Sequence, residues 1–224
     1  KGETLTEITV DEATYYIRIL SFLEGSFWVE TPTKNKALFE NLGIFLGKMD
    51  KSLVGFKHPG MHRHYTWDIS TARDANYRMN YIKDAAKKRI ADYFMLQFET
   101  EVLPTLSSFR QAYTHNDAND YNVLVEGDTI AGLIDFGDMV YAPLINELAV
   151  VITYMLYDKK DPIQTACQIL QAYHKILPLQ QIELDLLYYL IAGRLCMSLL
   201  NSAYSQRNDP DNKYISVSEK GAKY

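Results

Sequence analysis

The stretch that decides how this chain reads is His115-Asn116-Asp117-Ala118-Asn119-Asp120-Tyr121-Asn122, then Val123-Leu124-Val125-Glu126-Gly127-Asp128-Thr129, then Ile130-Ala131-Gly132-Leu133-Ile134-Asp135-Phe136-Gly137-Asp138. It is a polar loop, an apolar run, a turn, a second apolar run and an acidic end. Gly127-Asp128 supplies the turn, because glycine tolerates positive φ and aspartate bonds its own backbone. Pairing the two runs as an antiparallel hairpin sets Asn122, before the first strand, near Asp135, after the second. Asp117 lies on the loop that leads in. A carboxylate and an amide oxygen at one end of a hairpin suit Mg²⁺, which takes hard oxygen ligands and usually only one or two carboxylates beside phosphate oxygens. A further carboxylate at Asp117 is placed to orient a hydroxyl or accept its proton. Together they suit Mg²⁺-assisted phosphoryl transfer. Asp and Asn are also common turn residues, and a lone Asp-Phe-Gly says little. The combination His-x-Asp-x-x-x-x-Asn, hairpin, Ile-Asp-Phe-Gly-Asp is far more specific.

Outward from the hairpin the chain reads as mostly helical. Thr33 is a candidate cap for a helix from about Lys34 to Val54, with Leu38, Leu42, Phe45, Met49 and Leu53 on one face. A second helix is expected near Asp84 to Leu103, carrying Ile90, Phe94, Phe98 and Val102. A shorter helical piece over Leu106 to Tyr113 leads into the polar loop. Pro143 fits the first turn of a helix with Ile145, Leu148, Ala149 and Ile152. Residues 162 to 176 and 180 to 205 read as a packed helix pair, followed by a polar tail. At the other end, Leu5 to Val10 alternates like a strand and Tyr15 to Leu20 reads as its partner. Two strands alone make a marginal sheet, so they belong to a larger one.

With 224 residues, 47% hydrophobic and 23% charged, the chain is globular and large enough for a substantial core. A formal charge of −5 argues against a nucleic-acid partner. No apolar run is long enough to span a bilayer, and Arg194 interrupts the most apolar stretch, Leu186 to Leu200. A charge on an apolar helix needs a partner, so Arg194 is expected to pair with an acid in the helical body. Cys167 and Cys196 are read as reduced core residues, consistent with a cytoplasmic protein. Lys87-Lys88-Arg89 is a solvated helix face. The oligomeric state has no signal in the sequence.

The loop and hairpin resemble the catalytic and metal-binding segments of the aminoglycoside phosphotransferase and choline kinase superfamily. Leu42 to Asp50, Phe56-Lys57-His58-Pro59, Trp67-Asp68 and Pro210 to Glu219 are similar to its hydroxylysine kinase subgroup, including kinase-like modules fused to aminotransferases. The resemblance implies an α+β, protein-kinase-like fold. Residues 1–23 would be a two-strand remnant of the small N-terminal lobe with the hinge, and 24–224 a helical C-terminal lobe bearing the catalytic hairpin. It implies ATP and Mg²⁺ as cofactors, Asp117 as catalytic base, and Asn122 and Asp135 as metal ligands. Ser21, Phe22 and Leu23 would line the adenine through the backbone of the linker Ser21 to Gly25. His115, Asp120 and Glu147 would brace the site, while Arg63, Asp68 and Asp138 border the acceptor. The acceptor would be a small amino alcohol of the hydroxylysine, homoserine, choline, ethanolamine or aminoglycoside type. The family's upstream phosphate-covering loop and strand lysine have no match here, so this polypeptide by itself is expected to be inactive. A non-catalytic kinase-like binding module is the alternative. A further rival joins His62 and His64 to His115 and Asp117 as a hydrolase metal centre, with His58 nearby.

Overall fold

A computed structural model describes residues 5–157 and 159–209. Strand β1 (Thr6–Val10) pairs antiparallel with β2 (Ala13–Ile17), Thr6 opposite Ile17. Asp11 and Glu12 turn between them, both at positive φ, the conformation that suits a two-residue hairpin turn. The partner strand thus ends at Ile17 rather than Leu20. Ile8, Val10, Tyr15, Tyr16 and Ile17 all remain exposed. An irregular segment then leads to β3 (Ser26–Phe27), which pairs antiparallel with Leu124 and Val125.

Helix α1 (Lys36–Leu53) starts two residues later than expected, capped by Asn35 instead of Thr33: the Leu38 amide donates to the Asn35 side chain at 2.9 Å. Leu38, Leu42 and Leu46 are buried on one face. Gly43 and Gly47 face α4 (Pro162–Ile176) and allow the two backbones to meet. A Cβ on Gly43 would lie 2.2 Å from the Ile169 carbonyl and 2.9 Å from Ala172 Cβ, both poorly able to yield. Gly43→Ala is therefore expected to destabilise the fold by about 1–3 kcal/mol. Melting should show a fall of roughly 2–4 °C per kcal/mol. An unchanged midpoint would mean that the helices have room to separate.

After α1 come tight helical turns over Ile69–Tyr81, then α2 (Ala85–Gln97), which loosens into a π turn at Phe98–Val102 and a tight turn at Leu103–Ser108. The helical piece expected to run to Tyr113 is corrected here. Gln111–Thr114 is strand β4, claimed by antiparallel pairing with β7 (Val140–Pro143). Local periodicity was overridden by a ladder whose other half lies about 30 residues downstream. Pro143 closes that strand and so precedes the helix it was expected to open; α3 begins at Ile145 and runs to Met155. This helix is buried almost all round, as its apolar sequence requires.

The hairpin forms as read: β5 (Val123–Glu126) and β6 (Thr129–Leu133), with Gly127 at positive φ and a bulge at Ala131 between Leu124 and Val125 pairings. Its turn is fastened to α1. Asn35 Nδ2 donates to Asp128 Oδ1 at 2.8 Å, and Asn41 Nδ2 to the Asp128 carbonyl at 2.7 Å. Helix α5 (Gln181–Asn208) packs on α3 and on Ile69–Tyr81. Its first turn is anchored by a two-point ion pair, Arg110 Nε to Glu183 Oε1 at 2.8 Å and Arg110 Nη2 to Oε2 at 2.6 Å. Cys196 is buried in α5, but Cys167 is exposed on α4, which corrects the expectation that both are core residues. No helix among the described residues is long and apolar enough to cross a membrane. The stretch Pro210 to Glu219 lies outside the described residues.

Candidate active site

Strand β4 delivers the chain into the loop, where Glu147 of α3 holds it. The amides of His115 and Asn116 donate to Glu147 Oε2 at 2.6 and 3.4 Å. Glu147 is fully buried; burial raises its pKa to about 7, against the pull of those two amides. The His115 ring crosses to the hairpin. Nδ1 accepts from the Asp117 amide (3.2 Å), so Nε2 carries the proton and donates to the Ile134 carbonyl at 2.9 Å. Burial lowers the His115 pKa, in keeping with this neutral tautomer, and the ring stacks edge-on against Phe136 at 4.6 Å. One imidazole thus ties the loop bearing Asp117 to the strand end bearing Asp135.

Asn122 closes the loop. Its Nδ2 donates to the Asp117 carbonyl at 2.7 Å and to Asp117 Oδ2 at 2.9 Å, and its own carbonyl accepts from the Ile134 amide at 3.0 Å. This register puts Asn122 opposite Ile134, one residue before Asp135. Asp135 is exposed and sits in the left-handed region, φ 61°, an unusual backbone state for a side chain larger than glycine. Its Oδ1 accepts from the Gly137 amide at 3.3 Å. Asp117 Oδ2 also receives Asn119 Nδ2 at 3.0 Å, while Oδ1 faces Arg194 Nη2 at 3.2 Å. Burial lifts the Asp117 pKa to about 6; Arg194 opposes this, and Asp138 and Asp135 add to it. Asp117, Asn122, Asp135 and Asp138 therefore share one electrostatic neighbourhood.

The remaining expected residues fall into place less uniformly. Asp138 accepts a short hydrogen bond from Tyr65, and Arg63 Nη2 donates to the carbonyls of Gly137 (2.7 Å) and Met139 (3.1 Å). Arg63 is committed to the backbone of the Asp135 loop. Asp68 is buried and capped: it accepts from the Ser70 amide at 2.9 Å and from Asn146 Nδ2 at 3.3 Å. The Asp120 carbonyl accepts from the Val29 amide at 3.0 Å, pinning the loop to the segment after β3. Ser21–Leu23 has no regular secondary structure; Leu23 lies over Gly132 of β6, where a Cβ would meet its Cδ2 at 2.3 Å, and Phe22 is exposed.

The histidine centre does not assemble. His58 Nδ1 accepts from the Gly60 amide, His62 packs between Tyr113 and Tyr141, His64 pairs with Asp74, and His115 is spent inside the loop. No group of three His, Cys, Asp or Glu side chains among the described residues could hold a metal ion. The donor set at Asn122 and Asp135 fits a different kind of ion. Both hydrogen bonds from the Asn122 amide nitrogen go to Asp117, which turns the amide oxygen away from it. An amide oxygen and one exposed carboxylate are too few for zinc, and enough for Mg²⁺ that carries nucleotide phosphates with it.

Two residues gained roles that the sequence reading missed. Asn119 donates to the Asp117 carboxylate, and the acid paired with Arg194 is Asp117 itself, not an acid of the helical body. The apolar setting of Arg194 announced a partner; nothing in the spacing of 77 residues named which one.

Comparison with known proteins covers most of the chain. The model of the phosphotransferase enzyme family matches residues 3–182. The chain belongs to this family. Within it, the chain is 31% identical to hydroxylysine kinase of Mus musculus, over 98% of this chain and 63% of that protein. It is 28% identical to homoserine kinase of Zymomonas mobilis subsp. mobilis, over 88% of this chain and 61% of that protein. The chain thus spans less than two thirds of the length of these curated relatives. Among solved structures, the amicoumacin kinase hAmiN in complex with AMP-PNP, Ca²⁺ and Ami superposes with a TM-score of 0.62 at 15% identity, covering 99% of this chain and 70% of that one. That likeness shows the phosphotransferase fold, mixed α and β, and accounts for the helical body around a small hairpin.

Proposed function

We propose that this phosphotransferase-family chain carries the large-lobe machinery of an ATP- and Mg²⁺-dependent kinase that phosphorylates the hydroxyl of a small amino-containing molecule. 5-Hydroxylysine is the leading acceptor. The observation that carries the reading is the hydrogen-bonded unit Asp117–Asn122 set one residue from Asp135 by the hairpin register. Asn122 and Asp135 would hold Mg²⁺, which supplies neutralisation of phosphate charge and in-line orientation. Asp117 receives or orients the proton of the acceptor hydroxyl. Glu147 and His115 keep the base from drifting, and that matters because the chemistry is positioning and electrostatics. Ser21–Leu23, seated against β6, would offer backbone to the adenine. Asp138, with Tyr65, gives the acceptor side a negative rim suited to an ammonium group. Hydroxylysine and homoserine, the substrates named for two relatives, each join an amino group to an alcohol. Residues 1–23 are read as part of a small lobe and hinge, and 24–224 as the large lobe.

The test is a coupled ADP-release assay on the complete protein with Mg²⁺ and ATP. The acceptors are 5-hydroxylysine, homoserine, choline, ethanolamine and kanamycin, with ³¹P NMR of the product. A phosphate monoester on one amino alcohol supports the reading. Saturable binding of ATP with no acceptor-dependent ADP would instead favour a binding module.

A further inference from the structure

Arg194 sits in a place that packing alone does not explain. It comes from the middle of α5, 77 residues beyond Asp117, and is 1% exposed. Burying a guanidinium is costly unless its hydrogen bonds are well placed. Here Nη1 donates to the Trp67 carbonyl at 2.6 Å and Nη2 to Asp117 Oδ1 at 3.2 Å. The Trp67 and Tyr154 rings lie 4.9 and 5.6 Å from its Cζ. A cation clamped by two aromatic faces and a carbonyl cannot follow the carboxylate, so the carboxylate must come to it.

The donor count on Asp117 then has a consequence. An ionised carboxylate offers about two acceptor directions per oxygen. Oδ2 already receives Asn119 Nδ2 and Asn122 Nδ2. Among the described residues, Oδ1 receives Arg194 alone. We infer that Arg194 is a positioning residue: with Asn119 and Asn122 it fixes the Asp117 carboxylate so that one open direction on Oδ1 faces the acceptor hydroxyl. This rests on the reading of Asp117 as the base. Lysine in place of Arg194 keeps the charge but loses the planar fork, so it cannot serve Trp67 and Asp117 together in the same geometry.

The experiment measures kcat and KM for Arg194→Lys in the complete protein, with 5-hydroxylysine and Mg²⁺-ATP. Melting serves as the check on folding. The expected result is a kcat lower by about 10²-fold, the scale of a small misplacement of a reacting group, with KM for ATP within about twofold. In an Asp117→Asn background the same change should leave the residual rate where it was, since there is no base left to aim. Equal losses in both backgrounds would reduce Arg194 to a structural ion pair. A folded R194K at wild-type kcat would overturn the inference outright. Should R194K fail to fold, Asn119→Ala decides. Freeing a direction on Oδ2 should lower kcat by about 10-fold with KM unchanged, and wild-type kcat would refute the orientation. If the wild-type protein phosphorylates no acceptor, the functional reading itself fails. If it does and the variants match it, only this inference fails.

Discussion

Asp117→Asn is expected to lower turnover by about 10²–10⁴-fold, the range that a positioned general base contributes, while the protein stays folded. Asparagine preserves the shape and keeps an oxygen for the Asn119 and Asn122 donors, so the loop retains its outline. It places an NH₂ group, which cannot take a proton, against Arg194 and the acceptor. The loop backbone is held independently by Glu147 and His115, so the loop should stay in place, with a lower melting temperature where Arg194 loses its carboxylate. The wild-type rate carries a second signature. Asp117 is raised to about 6 by burial, with Arg194 pulling the other way. The carboxylate must be ionised to accept a proton, so activity should climb as pH is raised through about 6, and this limb should vanish in D117N. Steady-state kinetics from pH 5 to 8 would check both. A folded D117N with wild-type kcat would remove Asp117 from the mechanism.

The second large effect is expected at Asp135. Asparagine tolerates the left-handed backbone that position 135 adopts, so Asp135→Asn should fold normally. Asp135 is exposed and contacts little except the Gly137 amide, so there is no core to disturb. What is lost is the one carboxylate of the expected cation site. Stabilisation of transition-state charge by a bound metal is worth several kcal/mol, and each 1.36 kcal/mol is tenfold in rate. The account therefore expects a loss of at least about 10²-fold in turnover, together with a higher Mg²⁺ requirement. Titrating Mg²⁺ at fixed ATP measures both. A variant with unchanged rate and unchanged Mg²⁺ dependence would move the cation elsewhere.

What the sequence made legible follows from which forces are local. The hairpin was readable because two apolar runs and a Gly-Asp turn are short-range signals, and its register then places Asn122 opposite Ile134, one residue before Asp135. Helix α1 was readable from the spacing of Leu38, Leu42, Phe45, Met49 and Leu53, though its cap at Asn35 was misplaced by two residues. Strand β4 was misread because Gln111–Thr114 owes its state to β7, across the whole catalytic loop. The same limit hid the site's third dimension. Asn119 is local to Asp117 yet its amide could have turned to solvent, and Arg194 arrives from a helix whose packing no motif encodes. Asp68 and Arg63 were expected to border the acceptor; the structure engages Asp68 in a cap and Arg63 with backbone carbonyls.

The central claim is that Asn122 and Asp135 together seat a divalent cation beside a nucleotide, within reach of Asp117. Crystals of the complete protein grown with Mn²⁺ and a non-hydrolysable ATP analogue test it most directly, because Mn²⁺ can be located by its anomalous signal. The account predicts a peak bound by the amide oxygen of Asn122, a carboxylate oxygen of Asp135 and phosphate oxygens. A peak among His58, His62 and His64, or a nucleotide bound with its phosphates away from Asp135, would contradict it.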